Sequence, residues 1–491
     1  MPYICTRGGE KLTAAQAILK GLAGNGGLYV PCTLPRAADD MLPFAADMPY
    51  AQRVARVLSY FLDDFSQEEI DEICAASYGK FDDAHIAPVR TLNESTAVLE
   101  LFHGPTLAFK DMALQMLPRL TVTSAKKCGE TRRVCILTAT SGDTGKAALE
   151  GFEDVPGTRC TVFYPLDGVS RLQERQMVTS CGDNTQVIAV RGNFDDAQTG
   201  VKRLFNDPDF VKKMDERGCV LSSANSINIG RLVPQVAYYF SAYADLCAGG
   251  FIPKGEAFDA CVPTGNFGDI LAAYYARRMG VPIARLICAS NRNDVLTEFM
   301  QTGVYNARRP FHKTISPSMD ILISSNLERL LFELCGRDAE RVCAMMQSLK
   351  ENGTFRLNAD ELATLQRDFT GISADDDETR DEIAMVWREK HYLLDPHTAV
   401  AMRSLRKART DEKATRKTLV VSTASPFKFS QDVGEAIGLP RTDDAMHDAE
   451  ALSAFTGLPL PAPLAKLRHA EVRHHAVCDP ENMGEEVLKE V

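Results

Sequence analysis

The stretch Val134-Cys-Ile-Leu-Thr-Ala-Thr-Ser-Gly-Asp-Thr-Gly145 decides the fold. Its apolar start predicts a buried strand, its hydroxyl- and glycine-rich end predicts a tight turn, and a helical pattern follows. Similar apolar runs recur at Thr161–Tyr164, Val187–Val190, Ala257–Val262, Ile283–Ala289 and Leu419–Ser422. Strand, turn and helix in repeated succession predict an α/β protein with open, mostly parallel sheets flanked by helices. Ligands of such sheets bind at the carboxyl ends of the strands, beside helix N-termini.

Residues before about 90 lack this alternation, which predicts a mainly helical segment. Thr13–Leu22 has apolar residues at helical spacing, with Gly24 just beyond it. Ser66-Gln-Glu-Glu69 is a capping box, and we expect its helix to end near Gly79. Further along, the acidic run Asp375–Glu378 precedes an apolar helical pattern, so it is better explained as favourable charge at a helix N-terminus than as a metal site.

The overall composition is that of a large globular protein. The chain has 491 residues, of which 45% are hydrophobic and 25% charged, and its net charge is −11. An acidic balance argues against a general nucleic-acid or anionic-membrane partner. The 14 cysteines are scattered without a CxxC pair, which argues against a disulfide framework or a zinc site. Neither a secretory leader nor an apolar run of membrane-spanning length is evident, so we expect a cytoplasmic protein.

The segment Phe102–Met112 contains the first candidate for catalysis. Lys110 follows Leu107, Ala108 and Phe109. A lysine desolvated by such neighbours loses proton affinity and can form a Schiff base with a carbonyl compound. The alternative is a surface lysine whose stem crosses apolar neighbours, and local sequence alone favours that alternative.

The turn Thr140–Lys146 is the second candidate, because its hydroxyls and amides would form an anion site at a helix N-terminus. It is not a P-loop, since Gly142 and Gly145 have the wrong spacing and Ala147 replaces the residue that would hold magnesium. An ordinary N-cap turn explains the pattern equally well.

Two more segments favour anions. Pro263–Ile270 contains two glycines that allow backbone amides to curl around a phosphate. Asn225–Arg231 ends in a guanidinium that could grip a phosphate or carboxylate, although a surface arginine is the commoner explanation in isolation. Two anion-binding turns and a Schiff-base lysine in one chain favour pyridoxal phosphate together with an anionic substrate.

These segments resemble those of the threonine synthases of the long-chain bacterial and fungal type, within the fold-type II pyridoxal-phosphate enzymes. The matching pieces are, in chain order, Thr6–Gly9, Gly26–Pro31, His103–Asp111, Ser141–Gly145, Asn225–Asn228, Gly265–Gly268, Pro317–Ile321, Asp395–Thr398 and Ser422–Phe429. They run through most of the chain.

The resemblance implies a tryptophan-synthase-β-like fold with an extra N-terminal domain. We expect a mainly helical domain of residues 1–95, a large cofactor-binding α/β domain of 96–130 and 215–491, and a small α/β domain of 131–214. It also implies conversion of O-phospho-L-homoserine and water to L-threonine and phosphate, in a chain that is a monomer or a homodimer. A dehydratase-like enzyme acting on serine or threonine and a catalytically silent ligand-binding relative are the alternatives.

Residue by residue, the resemblance makes Lys110 the catalytic lysine that carries pyridoxal 5'-phosphate. The other implied cofactor contacts are Gly265, Asn266, Phe267, Gly268, Asp269, Thr423 and Asp143. The implied substrate contacts are Thr140, Ser141, Thr144, Asn225 and Arg231. No metal is implied.

Two acidic residues depart from the wider pattern. Asp143 and Asp269 stand where many fold-type II enzymes or close relatives have asparagine. A carboxylate at the position of Asp143 would repel the phenolic oxygen of the cofactor.

Overall fold

Two separate sheets of mainly parallel strands organise this chain. The computed structural model describes residues 1–37, 42–140, 142–411 and 416–491. The strands are β1 (Tyr3–Cys5), β2 (Tyr29–Pro31), β3 (Val89–Asn93), β4 (Thr96–Glu100), β5 (Arg133–Ala139), β6 (Thr158–Pro165), β7 (Thr185–Val190), β8 (Cys219–Ser222), β9 (Phe258–Pro263), β10 (Ile283–Ser290), β11 (Val304–Asn306), β12 (Thr354–Arg356), β13 (Phe369–Ser373), β14 (Thr418–Ser422) and β15 (Ala476–Cys478).

Helices surround both sheets. They are α1 (Ala14–Lys20), α2 (Tyr50–Leu58), α3 (Gln67–Ser77), α4 (Asp111–Leu114), α5 (Leu117–Lys127), α6 (Asp143–Phe152), α7 (Arg171–Val178), α8 (Phe194–Asn206), α9 (Pro208–Glu216), α10 (Ile229–Ala248), α11 (Gly268–Met279), α12 (Val295–Thr302), α13 (Leu327–Leu334), α14 (Ala339–Asn352), α15 (Ala359–Asp368), α16 (Asp376–Lys390), α17 (Pro396–Thr410), α18 (Ser430–Ala436), α19 (Ala445–Thr456), α20 (Ala462–Leu467) and α21 (Met483–Leu488). In the described part of the chain, no helix is long and apolar enough to cross a membrane.

The larger sheet has six strands in the order β13-β10-β9-β14-β4-β3. All neighbours are parallel except β3 and β4. Val420 in β14 pairs with Val98 on one side and with Cys261 on the other, and all three side chains are buried. Strands covered on both faces read as continuous apolar runs, which is why the pattern at Leu419–Ser422 predicted a strand.

The smaller sheet has five strands in the order β15-β7-β6-β5-β8, all parallel. This sheet includes two strands that lie outside the expected small domain of 131–214. β8 lies beyond residue 214 and pairs with β5, while β15 comes from the C-terminal end of the chain and pairs with β7. Pairing between distant segments leaves no local pattern in the sequence, so the sequence does not predict that β8 and β15 join this sheet.

The N-terminal part combines the antiparallel pair β1–β2 with three helices. The capping box at Ser66 is present, with Glu69 completing it, and α3 ends at Ser77 rather than near Gly79. The predicted helix at Thr13–Leu22 is shorter, because Gly21 ends α1. β3 falls within the expected helical domain of 1–95 but belongs to the six-stranded sheet. The acidic run at 375–378 caps α16 as expected.

A buried arginine on α13 ties the N-terminal part to the rest of the molecule. Arg329 is fully buried and donates to the carbonyl oxygens of Tyr29 at 3.0 Å and Ile227 at 2.6 Å. The preceding residue, Glu328, accepts from Thr6 Oγ1 at 2.6 Å and from Arg7 Nη2 at 2.7 Å. The segments Thr6–Gly9 and Gly26–Pro31 therefore share buried hydrogen bonds with α13.

Candidate active site

Lys110 immediately precedes α4, in a loop pinned by buried polar bonds. Thr106 donates through its N–H at 2.8 Å and its hydroxyl at 2.7 Å to the carboxylate of Asp111. Phe109 N donates to the carbonyl oxygen of Thr423 at 2.8 Å, at the carboxyl end of β14. Gly104 is required here, because a Cβ at that position would lie 2.5 Å from the Asp111 carboxyl group. The loop therefore fixes Lys110 at the strand ends of the six-stranded sheet.

The amine of Lys110 is buried among charged groups. Its side chain is 11% exposed, and Nζ lies 3.6 Å from Asp143 Oδ2 and 4.8 Å from the centre of the Phe109 ring. Burial lowers the pKa of Lys110, Asp143 opposes this, and Lys428 and Arg231 lower it further. The net shift is downward, so Lys110 gives up its proton more readily than an exposed lysine. The surface alternative for Lys110 is wrong.

Asp143 binds three other side chains besides Lys110. Oδ1 lies 2.7 Å from Lys428 Nζ and accepts from Gln173 Nε2 at 3.0 Å, while Oδ2 accepts from Ser318 Oγ at 3.1 Å. Burial alone would raise the pKa of Asp143, but the positive charges of Lys428 and Lys110 outweigh it and hold the pKa well below its usual range. Asp143 is therefore a carboxylate that already has a cationic partner.

Lys428 is a site residue to which the sequence assigned no role. It lies in the 3₁₀ turn Pro426–Phe429 after β14, its side chain is 1% exposed, and Nζ also donates to the carbonyl oxygen of Thr106 at 2.8 Å. A signal was available, because Lys428 stands between Phe427 and Phe429, as Lys110 stands after apolar residues.

A hydrogen-bonded chain leads from Asp143 to the segment 395–398. Ser318 N donates to His397 Nε2 at 3.1 Å, and His397 Nδ1 lies 2.8 Å from Asp395 Oδ1. Because Nε2 accepts, Nδ1 carries the hydrogen and donates to Asp395. The segments 317–321 and 395–398 resemble the family but have no role assigned from the sequence. Their hydrogen bonds lead to Asp143 Oδ2, the oxygen that faces Lys110.

The turn at 140–146 is closed by its own hydroxyl group. Thr140 Oγ1 accepts from Gly142 N and Gly145 N, both at 2.9 Å, and Thr140 is buried. Gly142 has a φ of 139°, which only glycine adopts freely. Thr144 is half-buried on the first turn of α6, and Ser141 lies outside the described residues. The hydroxyl of Thr140 thus serves the turn itself, while the N-cap of α6 is Gly142, which has no side chain to cap the helix.

The turn at 264–268 has the opposite character. Its carbonyl groups are bound, since Gly265 O accepts from Ser324 Oγ at 2.8 Å and Asn266 O accepts from Asn326 N at 3.0 Å. Within the described ranges, the N–H groups of residues 265–268 have no hydrogen-bond acceptor. Phe267 is buried with a φ of 64°, and α11 begins at the next residue. Four free N–H groups at a helix N-terminus suit a phosphate group.

Arg231 is a buried cation on the first turn of α10. It is 3% exposed, and Nη1 donates to the carbonyl oxygen of Ala224 at 3.1 Å. Among the described residues, Nε has no acceptor and no carboxylate pairs with this guanidinium. Burial lowers its pKa to about 10. Asn225 lies nearby in the chain, half-buried, with its N–H donated to Ser223 Oγ at 3.2 Å.

Two further predicted cofactor residues lie at the same strand ends. Asp269 Oδ1 accepts from Tyr238 at 2.6 Å and Tyr239 at 2.7 Å, whereas Oδ2 is buried without a partner. Burial raises the pKa of Asp269 to about 6, against the two tyrosine hydrogen bonds and the charge of Lys110. Thr423 directly follows β14 and is buried, and no hydrogen bond of its hydroxyl group is found in the described ranges.

Comparison with known proteins agrees with this geometry. Residues 2–78 match the family model of the threonine synthase N terminus, and residues 92–355 match that of the pyridoxal-phosphate dependent enzymes. The threonine synthase of Pseudomonas aeruginosa is 42% identical over 447 residues, which cover 90% of this chain and 92% of that protein.

This chain belongs to the threonine synthase family of pyridoxal-phosphate dependent enzymes.

Solved structures extend the match over the whole fold. The pyridoxal-phosphate-bound threonine synthase from Brucella melitensis is 38% identical, with a TM-score of 0.88, covering 100% of this chain and 99% of that one. The yeast threonine synthase is 30% identical with a TM-score of 0.88, covering 100% and 98%. The predicted fold class and cofactor are confirmed, and as a family member the chain is a pyridoxal-phosphate dependent lyase.

Proposed function

We propose that this chain converts O-phospho-L-homoserine and water to L-threonine and phosphate. The observation that carries the proposal is Arg231, a buried guanidinium with a free Nε donor and no acidic partner among the described residues. A buried cation is costly unless an anion neutralises it. Arg231 also acts on the charge of Lys110, so the anion it requires would sit close to the reacting amine.

The cofactor would be held at two points. Lys110 supplies the amine that binds its carbonyl carbon, and the free N–H groups of Gly265, Asn266, Phe267 and Gly268 supply donors for its phosphate. Thr423 would offer its hydroxyl to the pyridine nitrogen, and Asp143 and Asp269 would line the ring. Bound pyridoxal phosphate supplies an electron sink for negative charge at the substrate carbon next to the amino group.

Lys110 moves the protons. With a substrate amine in place of Lys110 on the cofactor, its Nζ would be free to carry protons one at a time. It would take the Cα proton and hand it on before taking the Cβ proton. The product carries these two hydrogens on Cα and Cγ, while water supplies the hydroxyl at Cβ and its other proton leaves with the phosphate. A lowered pKa suits this task, because the amine must be unprotonated to accept the first proton. The same nitrogen returns a proton after water has added at Cβ.

The substrate phosphate is the leaving group, and its binding residues act during departure. Arg231 would hold it bidentately, with Asn225, Ser141 and Thr144 as further donors, while Thr140 would keep the turn closed through its own hydrogen bonds. Negative charge grows on the bridging oxygen as the bond to carbon breaks, so a fixed guanidinium stabilises the transition state more than the ground state.

The proposal includes a cytoplasmic chain that works as a monomer or homodimer on a small molecule. All 14 cysteines are free thiols, which suits a reducing compartment. The net charge of −11 does not suit a nucleic-acid partner.

The test is an assay of the purified full-length chain loaded with pyridoxal phosphate. O-phospho-L-homoserine, L-serine and L-threonine are supplied separately, and phosphate, threonine and 2-oxo acids are quantified. We expect phosphate and threonine in equal amounts from the first compound. The Lys110→Ala protein serves as the control for background hydrolysis.

Other products would overturn the proposal in recognisable ways. A 2-oxo acid formed from serine or threonine, with no phosphate released from the first compound, would establish the dehydratase alternative. Tight binding of cofactor without turnover of any of the three compounds would establish the silent relative.

A further inference from the structure

We propose that Lys428 is a positioning residue of this site, whose ammonium group holds Asp143 as a carboxylate with one oxygen turned towards Lys110. The proposal rests on the assignment of Lys110 as the reacting amine, not on the identity of the substrate. Its basis is that the two oxygens of Asp143 face different amines. Oδ1 lies 2.7 Å from Lys428 Nζ, and Oδ2 lies 3.6 Å from Lys110 Nζ.

The position of Lys428 is fixed by the fold. Its side chain is 1% exposed, and its two acceptors, Asp143 Oδ1 and the carbonyl oxygen of Thr106, belong to two different segments of the site. Thr106 also binds Asp111, the residue that follows Lys110. Lys428 therefore joins the lysine loop, the start of α6 and the end of β14 in one bonded group.

Lys428 offsets the negative charge that Asp143 brings close to Lys110. A lone carboxylate beside Lys110 would keep the proton on that amine and prevent nucleophilic attack. Because Lys428 is the nearer cation, it takes up most of the negative charge. Burial lowers the pKa of Lys110, Asp143 opposes this, and Lys428 and Arg231 reinforce the lowering.

Other charged groups face the two lysines from the neighbouring helices. Asp269 on α11 is acted on by Lys110, and Asp111 on α4 is acted on by Lys428. Burial raises the pKa of both carboxyl groups to about 6, so they carry less negative charge near neutral pH than exposed aspartates. Asp143 remains the closest carboxylate to both amines.

The experiment measures the protonation of Lys110 without any substrate. The full-length chain, depleted of cofactor and shown to be folded by circular dichroism, is methylated with trace formaldehyde and a borohydride from pH 6 to 10. Mass spectrometry of the peptides around Lys110 gives the pH midpoint of its labelling, with the exposed Lys20 as an internal reference.

In the Lys428→Met protein, Asp143 becomes a counter-ion for Lys110 alone, and a positive charge is lost. We expect the midpoint of Lys110 to rise by about one pH unit, so that labelling near neutral pH slows about tenfold. Lys146→Met is the matched control, because the Lys146 amine lies 3.1 Å from Glu150 and does not contact Asp143. In the Lys146→Met protein, the pH midpoint of Lys110 labelling should stay at the wild-type value.

The Asp143→Asn protein should shift the midpoint of Lys110 downward, because it removes the counter-ion. Without Asp143, Lys428 has no carboxylate to hold beside Lys110. Adding Lys428→Met to Asp143→Asn should therefore move the midpoint much less than Lys428→Met does alone.

Three results would overturn the proposal. They are an unchanged midpoint in folded Lys428→Met, an equal shift in the two backgrounds, and an equal shift in Lys146→Met. If Lys428→Met does not fold, Asp143→Asn decides, since an unchanged midpoint there removes Asp143 as the counter-ion. A chain that shows the expected shifts but releases no phosphate from O-phospho-L-homoserine refutes the proposed function alone.

Discussion

The two glycine turns of the site look alike in sequence and differ in how their backbone groups are used. Each follows a parallel strand and begins a helix, β5 to α6 and β9 to α11. The turn at 140–146 donates the N–H groups of Gly142 and Gly145 to its own threonine. In the turn at 264–268, the N–H groups of residues 265–268 have no acceptor in the described part of the chain, and the carbonyl groups of Gly265 and Asn266 accept from the segment 324–326.

Under the proposed function, this difference separates two ways of binding a phosphate. The open turn offers backbone donors that carry no side-chain charge, which suits a cofactor held through every turnover. The closed turn offers fewer amides, so positive charge for an anion would come from side chains that act on the neighbouring Lys110, such as Arg231 and Lys428. A leaving group that departs in each cycle is better served by such charged side chains.

The largest effect should come from Lys110, the proposed reacting amine between the two turns' helices. Lys110→Ala should lower turnover by about 10²–10⁴-fold or more, because it removes the amine that moves protons. The fold should persist, since no large core cavity forms. Borohydride reduction of the loaded wild-type protein and peptide mapping should place the pyridoxyl group on Lys110. Lys146→Ala is the control, and finding the label on another lysine would refute the assignment.

Arg231→Ala tests whether this guanidinium binds the substrate phosphate. We expect kcat/KM for O-phospho-L-homoserine to fall by about 2–4 kcal/mol of transition-state stabilisation, with the visible spectrum of the bound cofactor unchanged. Arg468→Ala, at an exposed arginine paired with Glu450, is the control. Loss of cofactor from Arg231→Ala would mean that the two phosphate sites are interchanged.

Two glycines test the open turn. A Cβ on Gly268 would meet no atom closer than Asn326 Nδ2 at 3.6 Å, so Gly268→Ala should fold normally and bind cofactor at least about tenfold more weakly, a loss of about 1.4 kcal/mol. A Cβ on Gly265 would lie 2.5 Å from Ser318 O, so Gly265→Ala should destabilise the fold by about 1–3 kcal/mol. Cofactor titration and urea unfolding measure the two effects, and full cofactor affinity in Gly268→Ala would contradict the cradle.

Thr140→Val tests whether the closed turn is held by its hydroxyl. Two buried N–H groups would lose their acceptor, at a cost of about 1–3 kcal/mol of unfolding free energy. Urea denaturation measures this, with Thr144→Val as the control on the same turn. A raised KM for the substrate with no loss of stability would show that Thr140 binds ligand instead.

Thr423→Val should have the smallest effect. Loss of one hydrogen bond to the pyridine nitrogen should cost about 0.5–1.5 kcal/mol in kcat/KM and shift the absorbance maximum of the bound cofactor. Thr423→Ser keeps the hydroxyl and should restore both values. Normal turnover and spectrum in Thr423→Val would show that the hydroxyl only fills the strand end.

Local patterns predicted the parallel strands well, because a strand buried on both faces is a run of apolar residues. The runs at 134–137 and 187–190 lie inside β5 and β7. β8 and β15 lie outside the expected small domain of 131–214 but pair with β5 and β7, and no local pattern predicts partners so remote in the chain. Residues 476–478 alone have too few apolar positions to predict a strand.

The site was predicted less completely than the fold. Lys110 and the open turn are assigned through the family resemblance, whose motifs span only a few residues each, since local sequence alone favours a surface lysine at position 110. Lys428, Ser318 and His397 lay in matching segments but had no assigned role. Their significance comes from contacts such as that of Ser318 with Asp143, across 175 positions of the chain, which no local pattern encodes.

The buried guanidinium of Arg329 limits how far this enzyme can be trimmed. A shortened polypeptide starting at residue 92 would contain the whole pyridoxal-phosphate match yet lack Tyr29, whose carbonyl oxygen receives Arg329 Nε. The orphaned donor would sit beside Ile227, two positions from Asn225 and four from Arg231. Dissection at the family boundary would thus disturb the segment that we propose binds the substrate, and domain grafting should transfer the first 91 residues with the rest.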